Sequence, residues 1–439
     1  MKKIGLISFL KPKKWILARA KLLMLGMLVA IFIPYACAQS RGASFEYLNH
    51  IPISGKDPAN KIDSVRELGW SPSSLAFSAD GKRIAFTADS SRPFGVVDIE
   101  SKKITPIQSQ FKGPGTVHWS KRLNRLALVQ DTEVSVFDMS GLLPKLLYTI
   151  ENKMPNLLSA VSSSLVSVGE ADYLMLAGVT SWRLDSSNAH IVIYDFKTGE
   201  RKLTYQFFNP PFDNQDGKGH VSTSVLAAVA AVTKDQSILV AVSTQKGKYV
   251  VEDGIRKVTM LRSLQVVNMT TNRSQCDIEL QQYRVVNGVL YSFGNPYLSI
   301  LSTGKLLLRD QYRHDIYDMQ TCEREHQLET QLHQPLIDFD KINGPRGKFA
   351  PPEWLATHKP PVLQTFTSPD DRWVFGTSYW APKRSKAPFR IWQTTDWALI
   401  RDDVYDDDGS VTTAAFSQDG NYLAFGTANR ITFYKLHIR

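Results

Sequence analysis

Cysteine is nearly absent from this chain, with three residues in 439. One of them, Cys37, falls within the first 38 residues, which leaves Cys276 and Cys322. So few thiols exclude a disulfide-built miniprotein and a four-cysteine metal knuckle. No Gly-x-Ser-x-Gly elbow occurs, which argues against a serine hydrolase of that type. His-Glu-x-x-His and Cys-x-x-Cys-His are also missing, and the nine histidines make no pair at metal-ligand spacing within one strand. Two acidic runs, Asp406-Asp407-Asp408-Gly409 and Asp213-Asn214-Gln215-Asp216-Gly217, fail as calcium loops. Their spacing would require Val404 and Phe212 as first ligands. No metal and no cofactor is expected.

Acidic residues are absent from the first 38 positions, where seven basic ones stand. Lys2, Lys3, Lys11, Lys13, Lys14, Arg19 and Lys21 precede an apolar run from Leu22 to Ile33. Ala36-Cys37-Ala38 then offers small residues for cleavage before Gln39. At 12 residues the run is short for a membrane span, which needs about 20. Residues 1–38 therefore read as a signal peptide and 39–439 as one domain, exported to the periplasm or medium of a bacterium. An uncleaved anchor is the alternative. A lipoprotein signal at Cys37 is disfavoured by Pro34 and Tyr35. Removing the leader lowers the net charge from +10 to +3, since 45 basic residues then face 42 acidic ones. The high overall pI is thus a property of the leader, and a nucleic-acid partner is not expected.

What the chain has in quantity is repetition. Seven times an apolar strand closes on a polar residue. The closures are Val96-Val97-Asp98, Val136-Phe137-Asp138, Ile193-Tyr194-Asp195, Val266-Val267-Asn268, Ile316-Tyr317-Asp318, Ile391-Trp392-Gln393 and Phe433-Tyr434-Lys435. A second unit recurs as LAFSADGKRIAFT (75–87), AAFSQDGNYLAFG (414–426), FTSPDDRWVFG (366–376) and, more loosely, AVTKDQSILV (231–240). In each, Ser or Thr precedes an Asp by two residues between apolar strands. This is hairpin chemistry: the Asp accepts from its own turn, and Gly81 or Gly420 takes positive φ without steric cost. Short strands repeated every 40–75 residues or so predict an all-β, seven-bladed β-propeller. Rings of six or eight blades are the alternatives.

These turns resemble those of the WD-repeat superfamily and its exported bacterial relatives with Ser-Pro-Asp-Gly-Lys turns. Ile391-Trp392-Gln393 stands where that family has Trp-Asp, and Thr198-Gly199-Glu200 after Tyr194-Asp195 also fits. The resemblance covers most of residues 44–439. It implies the fold and is nearly silent on activity. Blades are expected at 73–110, 114–151, 160–206, 222–285, 296–330, 361–402 and 411–439. The last stops after its third strand, so the segment from Phe45 to Ile53 is expected to supply the fourth and close the ring. Cys276 and Cys322 each follow a closure. An exported chain could pair them; read as equivalent places in neighbouring blades, they should stand beyond the roughly 7 Å between Cα atoms that a disulfide allows, as two independent thiols.

Seven blades of about 42 residues need roughly 294, so about 100 of the residues after the leader are surplus. They concentrate at Asp89–Phe94, Trp182–His190, Gln245–Met260 and Tyr379–Pro388, between second and third strands. The rest lie at 207–221, 332–360 and 403–410, between blades. All of these connections share one face of a propeller. Insertions in repeat proteins mark the binding face. Trp182, Arg183, Trp354, Tyr379 and Trp380 are its candidate anchors, with Lys383, Arg384 and Lys386 as a basic tip and Asp402, Asp403, Asp406, Asp407 and Asp408 as an acidic link. His118, on the first strand of blade 2, could point into the central channel but is read as structural or solvent-facing. The expected function is a non-enzymatic scaffold, monomeric on its own and without a membrane span once the leader is cleaved. It would bind a protein or envelope component through this face. A hydrolase or lactonase with its site in the central channel is the alternative, and a glycan binder the third reading.

Overall fold

Each of the seven apolar runs that close on a polar residue is the third strand of a four-stranded antiparallel sheet in the computed structural model. The structure describes residues 44–53, 72–88, 94–107, 115–130, 133–141, 143–151, 159–179, 189–207, 220–252, 255–285, 297–310, 313–328, 362, 364–377, 388–404, 411–427 and 430–437. Among them are 28 strands in seven sheets and no helix. The chain divides into two compact units. Glu46–Lys435 carries the sheets, and Met1–Phe45 with Leu436–Arg439 forms a small second unit.

Six sheets take their strands in sequence order, spanning 72–107, 116–151, 159–206, 220–285, 297–328 and 364–404. The seventh orders Ser44–Pro52, Arg430–His437, Tyr422–Thr427 and Thr413–Phe416. The first strands of successive blades neighbour one another all the way round, blade 7 returning to blade 1. The fold is therefore a seven-bladed β-propeller with first strands innermost and the N-terminal strand closing the ring. The blade limits agree with the sequence expectation to within a few residues.

The polar residue at five of the seven closures has a mechanical role. Its side chain accepts backbone N–H groups of the turn to the fourth strand: Ser101 N to Asp98, Ser140 N to Asp138, Thr198 N to Asp195, Thr271 N to Asn268 and Thr321 N to Asp318, at 2.8–3.0 Å. The Ser101 amide and hydroxyl hold the Asp98 carboxyl below its ordinary range. Four residues after the closure the chain turns left-handed, at Lys102, Gly199, Asn272, Cys322 and Trp397. The turns between first and second strands follow the Ser-x-Asp scheme. Ser78, Ser368 and Ser417 each donate to the Asp two residues on and accept the amide five residues on, at 2.8–2.9 Å.

Apolar cores lie between the blades, because each sheet is covered on both faces by its neighbours. Ile84, Val97 and Phe433 pack between blades 7 and 1, Leu126 and Phe94 between 1 and 2, and Val192 and Ala127 between 2 and 3. Met175 and Val240 join blades 3 and 4, Leu264 and Leu308 join 4 and 5, and Ile316 and Trp392 join 5 and 6. Full burial of such side chains contributes roughly 1.5–3 kcal/mol each.

Three expectations need correction. Cys276 and Cys322 are joined, with Cα atoms 6.1 Å apart. They are not equivalent positions: Cys322 is four residues past its closure, in the turn, whereas Cys276 is eight past, inside the fourth strand of blade 4 opposite Val266. The offset of four positions along the fourth strand goes with a Cα separation inside the range a disulfide allows. Second, Gln245–Met260 is not a loop. The second and third strands of blade 4, Ile238–Glu252 and Ile255–Asn268, stay paired from Leu239↔Asn268 to Glu252↔Ile255. Its first and fourth strands are extended too, to 13 residues each. Third, Asp402 and Asp403 belong to the fourth strand of blade 6, where they pair with Arg390 and Arg401. Asp406, Asp407 and Asp408 lie outside the described residues.

Candidate functional site

The innermost strands decide what the central channel can offer. Their sequences, from PSSLAF in blade 1 to TAAF in blade 7, are rich in Ser, Thr, Ala, Val and Leu and contain no Asp, Glu or Asn, with His118, His220 and Gln364 among their other polar side chains. Many of the hydroxyls are committed to the neighbouring blade. Ser74 accepts Val117 N, Thr116 bonds Ser163, and Ser162 accepts Ala228 N. Ser299 bonds Thr365, and Thr412 donates to Pro72 O at 2.6 Å. His118 belongs to this stitching. Its Nε2 is 2.8 Å from the Ser163 hydroxyl, and desolvation pushes its imidazole down to about 4. That is the structural role expected of it.

A second set of hooks joins the turns on the opposite rim. Gln236 and Asp371 take positive φ although they are not glycine. Gln236 accepts Gly169 N of blade 3, and Asp371 accepts the amides and hydroxyl of Ser302 and Thr303 in blade 5. The backbone cost of that conformation is offset by bonds that glycine cannot make.

Buried charge gathers in one sector, toward the ends where second and third strands connect. Arg262 of blade 4, Arg309 of blade 5 and Arg390 of blade 6 are all nearly fully buried. Arg390 Nε donates to Asp402 at 2.8 Å, and Arg262 Nε to Gln245 at 3.4 Å. Between blades 5 and 6 stands His314, with no exposed surface and neither ring nitrogen hydrogen-bonded. It lies directly across from Arg309 in the sheet register. Desolvation, with Arg309 and Arg390 adding repulsion, pushes the His314 imidazole down to about 3. Sequence reasoning missed this cluster. The available signal was phase: Arg309 alternates with Leu307 and Arg390 with Trp392, so each charge sits on a face otherwise given to the core.

The depressed imidazole makes a pH prediction. An unfolded histidine titrates near 6.5. The folded chain holds His314 neutral, so its contribution is fully present above about pH 6.5 and is lost as pH falls toward 3. Between pH 7 and 5, urea melts of the wild type should lose about 2 kcal/mol more stability than those of His314→Leu. Parallel pH slopes would count against the burial.

The sequence-derived anchors cannot be placed individually. Trp182, Arg183, Trp354, Tyr379, Trp380, Lys383, Arg384 and Lys386 all lie outside the described residues. The flanking strands fix where their segments attach. Residues 180–188 join the second and third strands of blade 3, 378–387 do so in blade 6, and 329–361 link blades 5 and 6. All three attach at the end of the ring where the buried arginines sit. The acidic run at 213–217 is likewise undescribed. Among the described residues no three His, Cys, Asp or Glu side chains converge as a metal site.

The geometry defines the chain as a seven-bladed β-propeller protein. No family model matches the sequence, and no curated protein matches it.

Proposed function

We propose that this chain is an exported propeller scaffold that binds a protein or cell-envelope component through the face carrying its long connections. The observation that carries this reading is the division of chemistry between channel and rim. The channel strands carry no Asp, Glu or Asn, and many of their hydroxyls are spent on neighbouring blades. The surplus chain, the extended ribbon of blade 4 and the buried arginines all belong to the opposite ends of the outer strands. Repeat folds place recognition on such an elaborated face. The Ser-x-Asp turns resemble those of exported WD-repeat-like proteins, and the Cys276–Cys322 bond supports an oxidising compartment.

The test is affinity capture of the tagged, exported protein from its own envelope fraction. Replacing Trp380, Lys383, Arg384 and Lys386 together should leave the melting temperature unchanged and remove the captured species. Replacing Lys82, Lys234 and Asn421 on the opposite rim should leave capture intact. The reverse pattern would move the binding face to that rim.

A further inference from the structure

Five large apolar residues among those described stand exposed, and three of them are neighbours. Leu143 is 72% exposed, Leu146 51% and Leu147 38%. They occupy the last turn of blade 2 and the start of its outermost strand, Lys145–Glu151. The local sequence, Ser140-Gly-Leu-Leu-Pro-Lys-Leu-Leu147, is unlike the corresponding turns of other blades, which read Glu-Ser-Lys-Lys, Lys-Thr-Gly-Glu and Gln-Thr-Cys-Glu. A register shift between Val136 and Phe137 fits here, leaving Leu147 as the extra residue between Leu146 and Tyr148. Leu146 and Leu147 are thus both turned outward at one spot, where a regular strand would alternate them. An exposed apolar cluster on an open edge strand is costly in water and calls for a covering phase.

The charge around it identifies that phase. The turns joining first to second and third to fourth strands share one rim, and charge is divided across it. In blades 1 and 2 these turns carry Lys82, Lys102, Lys103, Lys121 and Arg122 against Asp80 and Glu100, with Asp98 and Asp138 at the strand ends that open the last turns and Lys145 inside the leucine cluster. In blades 5 to 7 they carry Glu323, Asp370, Asp371, Asp396 and Asp419 against Arg372. Lys82, Lys102, Lys103, Lys121 and Lys145 are all exposed, and Arg122 reaches across to Glu170 of blade 3 at 3.4 Å. An apolar wedge set among lysines, on a rim whose far side is acidic, has the polarity of a surface that meets anionic headgroups while its leucines enter the acyl boundary.

We infer that the blade 2 rim docks on an anionic phospholipid surface, through Leu143, Leu146 and Leu147 with the lysines of blades 1 and 2. The acidic sector of blades 5 to 7 then tilts away from the membrane. The opposite face, with the long connections, is left open to its partner.

The experiment is co-sedimentation of the full chain with vesicles of phosphatidylcholine alone and of phosphatidylcholine with phosphatidylglycerol. The wild type should bind the anionic vesicles more tightly, and added salt should weaken it. Leu143→Ser with Leu146→Ser should lower that affinity about tenfold, and Lys102→Glu with Lys103→Glu by a similar factor. Asp396→Lys, in the acidic sector, should not lower it. All variants share the same N-terminal segment, so binding that is indifferent to both rim variants would belong to that segment and overturn the inference. Light scattering covers the other occupant: a dimer that becomes monomeric in Leu143→Ser would assign the cluster to a second copy of the chain. Should the leucine variant melt early, the lysine variant alone decides, since its changes are at exposed turn positions.

Discussion

Deleting residues 44–53 should abolish the stable ring. The segment supplies the outermost strand of blade 7, hydrogen-bonded to the last strand of the chain. Ile51 and Ile53 are essentially without exposed surface and pack with Leu75, Phe77, Ile84, Ile431 and Phe433. Tyr47 adds an edge contact to Tyr434, with ring centroids 5.7 Å apart. Two buried isoleucines contribute roughly 1.5–3 kcal/mol each, and the lost strand also bares a hydrogen-bonding edge beside open core. The sum is on the order of 5 kcal/mol, comparable with the whole stability of many domains. Circular dichroism and light scattering of the truncated protein should show early melting or aggregation. The milder single change Ile51→Ala should still cost about 2–5 kcal/mol. A truncated chain that melted with the wild type would mean that the edge strand adds nothing to closure.

That closure was legible in the sequence because two independent signals agreed. The last repeat ran out after Phe433-Tyr434-Lys435, and an unpaired strand pattern stood near residue 45. Blade number was legible for a similar reason: the closures mark the end of the third strand in every blade, and in five of them the closing side chain caps the turn that follows. Asp98 and Asp195 accept turn amides whatever the protein binds. The buried arginines were not legible. A charge inside an apolar strand looks the same whether it faces solvent or a neighbouring blade, and only the phase relative to Leu307 or Trp392 distinguishes the cases. Blade 4 misled in another way. Lys246-Gly247-Lys248 and Glu252-Asp253-Gly254 are polar, so the stretch read as loop. Pairing of two strands outside the packed core needs no apolar pattern, since its hydrogen bonds run between backbones.

Reducing the Cys276–Cys322 bond should lower the stability of the folded chain without abolishing it. The two residues are 46 apart in sequence, and the bond ties the outermost strand of blade 4 to the last turn of blade 5. Along the ring's inner wall hydroxyls already stitch neighbouring blades, as Ser162 does for blades 3 and 4. The covalent tie acts at the outside, where fourth strands are otherwise held by one neighbour alone. Closing a loop of this length restricts the unfolded chain by an amount worth about 2–4 kcal/mol. For a chain of this size that corresponds to about 2–5 °C in melting temperature. Denatured, unreduced protein should show no free thiol from this pair and a mass about 2 Da below the reduced form. Cys276→Ser with Cys322→Ser, and wild type in reductant, should melt together and below the oxidised protein. Partner capture through the blade 6 connection should survive reduction, because blades 5 and 6 are joined by the Leu307, Ile316 and Trp392 core and not by the bond. Two free thiols in the exported protein would restore the independent arrangement and place Cys276 away from the blade 5 turn. A serine double variant as stable as the oxidised wild type would show that the inter-blade core holds this junction unaided.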